Sequence, residues 1–343
     1  MTRRLRTAVI GAGHMGRHHA RIYSELPGSE LVAVCDVDEK RAAEAARDRG
    51  ARVVTRAEEL VGQVDAVTIA VPTVYHAEVA RPFIEAGVGA LIEKPIAPDS
   101  RTAEKMLEWA RKSGAVLSVG HSERFNPVVL AIDRMGVTPK FIETQRVSPF
   151  TFRSADIGVV FDMMIHDIDI VLHLVKSHEY RVHAVGVAVL GPHEDVANAR
   201  VSFDNGCVVN LTASRLALKT DRRIRVFSPD AYLTMDFQRK SGLAVKKDAN
   251  LDLIRMARER HFEDLSQMSG MDFGKMLKVE PLALDAVEPL RAEIESFLNA
   301  VRTGGQAAVT GEDGLRAVRM AEDIVASIQQ HDWDPQSKAG GSG

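Results

Sequence analysis

Only two cysteines occur in this 343-residue chain, and Cys35 and Cys207 lie far apart. Two thiols so separated supply neither a disulfide framework nor a multi-thiolate metal site, which fits a reducing compartment. Net charge is equally scarce: 44 Lys and Arg against 47 Asp and Glu leave a formal −3. Such a chain has no overall field to draw nucleic acid or an anionic membrane, so neither is expected as a partner. Long apolar runs are missing too. No segment approaches the ~20 residues that a bilayer span requires. The apolar stretch after the basic start, residues 7–10, is too short for a signal-peptide core and runs into glycines. A soluble, cytoplasmic protein is therefore expected.

What is present is enough chain for more than one core, so two domains are expected, over 1–122 and 123–332. The Gly/Ser-rich end, 333–343, reads as a flexible tail. In the first third, β-rich runs at 5–10, 31–36, 66–70, 90–93 and 116–119 alternate with helix-like stretches at 15–26, 39–49, 75–86 and 101–112. That rhythm predicts an α/β fold with a doubly wound parallel sheet. Beyond about residue 125, β runs follow each other at 141–147, 181–190, 197–203, 208–214, 223–227 and 232–237. Asp204-Asn205-Gly206 reads as a hairpin turn, because Asn and Gly tolerate positive φ. This half is expected to hold a large, mostly antiparallel sheet with helices at 162–174, 291–302 and 311–329. Residues 247–280 are charged and aperiodic, and are read as an insertion.

The strongest motif is Gly11-Ala12-Gly13-His14-Met15-Gly16, between an apolar strand and a helix. Gly11 permits a tight turn, Gly13 lets backbone approach a pyrophosphate, and Gly16 allows close helix–strand packing. The helix end at His14 and Met15 offers free N–H groups to phosphate. Asp36 closes the next strand, 20 residues beyond Gly16. An acid there accepts the ribose hydroxyls of NAD and repels a 2′-phosphate; the competing reading is a cap for the helix beginning near Asp38. Lys40 and Arg41 nearby keep NADP open. Val71-Pro72-Thr73, with His76 one turn on, follows another strand, where loops line the ligand crevice; a proline-started helix capped by Thr73 reads equally well.

Two further groups suggest chemistry. In Glu93-Lys94-Pro95, a strand-end lysine would project into the same crevice and could stabilise an alkoxide, although a surface lysine beside a turn fits the residues alone. Asp162 and His166 are four apart in an apolar stretch and would share a helix face, the carboxylate orienting an imidazole suited to general acid–base work. Asp169 and His173 continue that stripe. Zinc is conceivable there, but the third ligand is ambiguous and Lys94 would lose its role, so no metal is expected.

Together these residues, with His19, resemble the glucose-fructose oxidoreductase/inositol dehydrogenase/MocA family over nearly the whole chain. The resemblance implies an N-terminal Rossmann domain and a C-terminal α/β domain whose large open sheet often mediates homo-oligomerisation. It also implies a catalytic set of Lys94, Asp162 and His166, with NAD held by the glycine loop, Asp36, Pro72, Thr73, His76, Glu93 and Lys94. A glycine-rich run common before the aspartate is reduced here to Gly158. A narrower likeness, in 120–127, 146–153 and 162–169, is to the UDP-N-acetylglucosamine 3-dehydrogenases of lipid A amino-sugar synthesis. It makes a nucleotide sugar the expected substrate. Arg124, Arg146 and Arg153 then become candidates for its diphosphate, with Asn126 and Asp169 beside them; ion pairing at a domain interface is the alternative for the arginines. A free polyol, a UDP-sugar uronate, or a non-catalytic sensor of NAD and sugar remain the other readings.

Overall fold

The computed structural model describes residues 3–151, 157–247 and 277–331. Candidate ligand Arg153, most of the aperiodic segment 247–280 and the tail 333–343 lie outside the described residues.

The first layer is a six-stranded sheet of β1 (Leu5–Ile10), β2 (Ser29–Cys35), β3 (Arg52–Val54), β4 (Ala66–Ile69), β5 (Gly89–Glu93) and β6 (Leu117–Gly120). Its order is β3-β2-β1-β4-β5-β6 and every pairing is parallel. The helices α1 (His14–Glu25), α2 (Glu39–Ala46), α3 (His76–Glu85) and α4 (Ser100–Ser113) connect these strands. Strands covered on both faces must be apolar throughout, and β4 and β5 are buried at every residue. The chain reverses direction of winding between β1 and β4, so a crevice opens at their carboxyl ends. β3 was not expected; three residues carry too little pattern to be seen.

After β6 come a 3-10 turn at Ser122–Phe125 and α5 (Pro127–Met135), which runs from an Asn126 cap to left-handed Gly136. The second sheet has eight strands: β7 (Phe141–Val147), β8 (Tyr180–Val187), β9 (Val196–Phe203), β10 (Val208–Ser214), β11 (Asp221–Phe227), β12 (Ala231–Asp236), β13 (Ser241–Lys247) and β14 (Leu277–Pro281). They lie in the order β14-β13-β12-β11-β7-β10-β9-β8, and only β7 with β10 is parallel. Burial alternates strictly along β9 and β10, so one face meets the core and the other faces out. Gly206, at φ 82°, makes the β9–β10 turn that the Asn-Gly pair foretold.

The inner face of this sheet packs on α6 (Ile165–Val175), whose first turn grows out of a π-wound segment, Val160–Met164. Two helices close the chain, α7 (Pro289–Thr303) and α8 (Gly311–Gln330). α7 returns to the first sheet, burying Ile294, Phe297 and Leu298 with Val9, Tyr23 and Leu91. α8 lies between the two layers, touching α4 and β6 on one side and α6 and β8 on the other.

Candidate active site

The glycine loop has the geometry its spacing demands. Gly11 sits at φ +94°, and a Cβ there would lie 2.6 Å from the Ala70 carbonyl at the end of β4. A Cβ on Gly16 would fall 1.8 Å from the Gly11 oxygen, so α1 can start this close to β1 only without one. Gly13 differs: nothing stands within 4 Å of its Cβ position. The protein leaves that side open, and the first turn of α1 carries no side-chain cap and no acid, which suits a pyrophosphate. Met15 is half-buried and His14 exposed at this end.

Asp36 is placed by the backbone. Its Oδ2 accepts from Ala12 N at 2.7 Å and its Oδ1 from Asp38 N at 2.9 Å. The cap of α2 is instead Asp38, which accepts from Lys40 N and Arg41 N. Asp36 is thus free of the capping role and faces the crevice beside the glycine loop, where a ribose would meet it. The residues present fit NAD.

On the next loop Pro72 is exposed and Thr73 half-buried at the start of a 3-10 turn. His76 departs from its expected cofactor contact. It is buried, with Nε2 2.9 Å from Val71 O and Nδ1 3.0 Å from Pro95 O, so it braces two crevice loops against each other. Glu93 is also turned inward. Its Oε1 meets His19 Nε2 at 2.9 Å, and His19 Nδ1 continues to Thr68 and Tyr23. Burial works to raise the Glu93 carboxyl, but the His19 hydrogen bond and the charges of His19 and Lys94 outweigh it and hold it low. Both side chains shape the cofactor crevice from behind.

Lys94 is no surface lysine. Its Nζ donates to Asp162 O at 2.7 Å and lies 3.7 Å from Asp162 Oδ1. Burial lowers its ammonium below the ordinary value, against the pull of Asp162 and Glu93. The π-wound turn makes this contact: its wider winding presents the Asp162 carbonyl to a partner outside the helix. Here the expectation that Asp162 orients His166 needs correcting. Asp162 belongs to the π turn and His166 to α6, no hydrogen bond joins their side chains, and the carboxylate faces Lys94 instead.

His166 is half-buried with its Nδ1 sealed from solvent and unpartnered. Burial, then the positive charges of Lys94 and Arg146 and the neighbouring His121 and Arg222, hold its pKa well below the ordinary value. A neutral imidazole is the form a general base requires.

The substrate-side arginines are taken up internally. Arg124 donates to both oxygens of Asp169, at 2.9 and 2.5 Å, and to His173 Nδ1 at 2.9 Å. His173 Nε2 reaches Asp133 at 2.8 Å, so its role is to extend that ion pair. Arg146 donates twice to Asp167 Oδ1, at 3.1 and 2.8 Å, and once to Glu123 at 3.4 Å. Asn126 caps α5 through Val128 N and donates to Glu123. With partners this complete, the geometry favours the interface ion-pair reading of Arg124 and Arg146, and gives Asn126 and Asp169 structural partners. Among the described residues, no three His, Cys, Asp or Glu side chains gather as around a metal ion.

Sequence reasoning passed over His121, Glu293 and Arg222. His121 and Glu293 are buried with both side-chain heteroatoms unpartnered, and Arg222 has a buried, unpartnered Nε. For His121 a signal existed, since it directly follows the end of β6, on the crevice side of the sheet. For the other two, only the tertiary fold brings them here.

Comparison with known proteins agrees with this fold. Residues 5–121 match a family model described as "Oxidoreductase family, NAD-binding Rossmann fold", and 144–334 match its C-terminal alpha/beta domain. The chain is 34% identical over 326 residues to a UDP-N-acetylglucosamine 3-dehydrogenase of Acidithiobacillus ferrooxidans, covering 95% of this chain and 97% of that one. A solved structure of that enzyme superposes with a TM-score of 0.85, covering 96% and 100% of the two chains. An inositol 2-dehydrogenase of Rhizobium meliloti is 27% identical over 346 residues, covering 95% and 97%. A levoglucosan dehydrogenase in complex with NADH, 18% identical, shares the fold at a TM-score of 0.80 over 96% of this chain and 98% of that one. With both of its domains matched in order, this chain belongs to the GFO/IDH/MocA oxidoreductase family, an NAD-binding Rossmann domain followed by a C-terminal α/β domain.

Proposed function

We propose that the chain is an NAD-dependent sugar dehydrogenase that oxidises the 3-hydroxyl of UDP-N-acetylglucosamine to a 3-keto nucleotide sugar. One observation carries the reading: Lys94, from the end of β5, meets the π turn of Asp162 that leads into His166, at the mouth of the cofactor crevice. The 34% identical relative named for this reaction supports the choice of sugar.

When bound, NAD supplies the hydride acceptor. The chain supplies the rest. Gly13 and the free N–H groups at the start of α1 would hold the pyrophosphate, Gly11 and Gly16 permit the turn that brings them there, and Asp36 would hold the ribose. His166, neutral and with Nδ1 turned inward, takes the hydroxyl proton on Nε2. Lys94 stabilises the oxygen as it becomes negative, and Asp162 keeps that ammonium charged and aimed. The 3-keto product suits an aminating step of lipid A synthesis in the cytoplasm. A second copy would pair through the outer face of the eight-stranded sheet, where Phe141, Phe227 and Tyr232 stack in a row.

The test is NADH formation with a panel of UDP-sugars and polyols, followed by product structure. UDP-N-acetylglucosamine is expected to turn over, and His166→Ala to lose about 100-fold or more in kcat while still binding NAD. Because His166 is depressed, kcat/KM should hold up below its ordinary pKa of 6.5 and fall only in stronger acid. Wild-type turnover in His166→Ala would sink the base assignment. Turnover of a free polyol alone would move the substrate, and tight NAD binding without turnover would make the protein a sensor.

A further inference from the structure

Arg146 on β7 and Arg222 on β11 are direct partners across an antiparallel pair. Residues so placed project to the same side within about 5 Å, where like charges repel. The two cations are not treated alike. Arg146 is 3% exposed and hydrogen-bonded to both Asp167 and Glu123. Among the described residues Arg222 forms an ion pair only with Glu123, at 3.7 Å, and that carboxylate already serves Arg146 and Asn126. Its Nε is buried without a partner, while 43% of the side chain stays exposed. A guanidinium forced beside another, under-neutralised and open to solvent, is poorly explained by stability alone.

Its position gives it a use. Arg146 bonds Asp167, the residue after His166, and the charge of Arg222 is among those that disfavour protonation of His166, the proposed base. We propose that Arg222 is the anion anchor of the substrate pocket and binds the diphosphate of a nucleotide sugar. This rests on the dehydrogenase reading and deepens it, because it separates a diphosphate-bearing sugar from a free polyol. It also replaces Arg124 and Arg146, whose donors are spent on internal carboxylates. A docked diphosphate would supply acceptors to the solvent-facing part of the guanidinium, which Glu123 meets only at 3.7 Å. It would also offset one of the positive charges that disfavour protonation of His166, making the base stronger when substrate is present.

The experiment is calorimetric titration of UDP, uridine and inorganic diphosphate into the NADH-loaded protein, for wild type, Arg222→Met and Arg222→Lys. Thermal unfolding of each variant is recorded alongside. UDP and diphosphate are expected to bind wild type, to weaken at least tenfold in Arg222→Met, and to recover in part in Arg222→Lys. Uridine and NADH should bind all three alike. Equal UDP binding by wild type and Arg222→Met overturns the anchor, as does wild type that binds no UDP. Steady-state kinetics keeps the two readings apart. Turnover of UDP-N-acetylglucosamine with an unchanged KM in Arg222→Met defeats the anchor and leaves the dehydrogenase standing. Loss of UDP binding in a protein that oxidises no sugar does the reverse.

Discussion

The two rims of the crevice are built by different means. The cofactor rim is mostly backbone: a glycine turn, a free helix end, and an aspartate held by two main-chain N–H groups. The other rim, where we place the substrate, is mostly side chain: Arg124–Asp169 and Arg146–Asp167 ion pairs sealed from water, with Glu123 bridging to Arg222. Backbone rims recognise what every dinucleotide shares, at little desolvation cost. A rim of buried charges is expensive to assemble unless every partner is present, and it leaves any unpaired member conspicuous. Among the described residues Arg222, with Glu123 at 3.7 Å and its Nε unpartnered, is the under-neutralised cation of this rim.

The contrast predicts which changes unfold the protein and which only empty it. The largest effect belongs to the substrate rim. Arg124→Met strands the Asp169 carboxylate, which is 1% exposed, and should cost ~3–5 kcal/mol in urea unfolding. If stability held within ~1 kcal/mol while KM for the nucleotide sugar rose tenfold, Arg124 would be a ligand and the contrast would fail.

On the cofactor rim two glycines should part company. Gly16→Ala places a methyl 1.8 Å from the Gly11 oxygen, so α1 must shift, costing ~1–3 kcal/mol along with NAD binding. Gly13→Ala meets no protein atom within 4 Å, and its φ of −66° suits alanine. It should unfold within ~0.5 kcal/mol of wild type yet bind NAD more than ~tenfold worse, because only the pyrophosphate is displaced. Equal losses of stability in both variants would mean that Gly13 serves packing. The paired measurements are thermal unfolding and NADH fluorescence titration.

The same division explains what could be read from the sequence. The glycine loop, Asp36 and the strand–helix rhythm were legible because their physics is local: a turn, a helix end and a strand end, each fixed by near neighbours. Lys94, Asp162 and His166 are recognisable as a set only through family resemblance, and the spacing that pairs Asp162 with His166 misses its contact with Lys94. An α-helical spacing was assumed, whereas the chain winds a π turn there. Arg124 meets Asp169 across 45 residues and Arg146 meets Asp167 across 21. No periodicity reports such partners. β13 and β14 escaped because they flank the aperiodic segment, where alternation is broken by charge.

The effect that should leave both ligands' binding unchanged lies behind both rims, at Glu293 on α7. It is 1% exposed, and neither carboxyl oxygen has a protein partner. Burial, with Glu93 and Asp169 nearby, raises its pKa well above the ordinary 4.5. The sign of the linkage follows. Below 4.5 the carboxyl is protonated in folded and unfolded chains alike, and its contribution to stability is fully present. As pH rises the unfolded chain ionises freely while the folded one resists, so that contribution falls until the folded value is passed. Glu293→Gln keeps the shape and a neutral amide but removes the titration. Its stability should match wild type in acid and exceed it increasingly toward neutral pH, by ~1–3 kcal/mol, the range for an unsatisfied buried polar group. Parallel stability curves for the two proteins across that range would show that burial leaves Glu293 unshifted and that some other group satisfies its carboxylate.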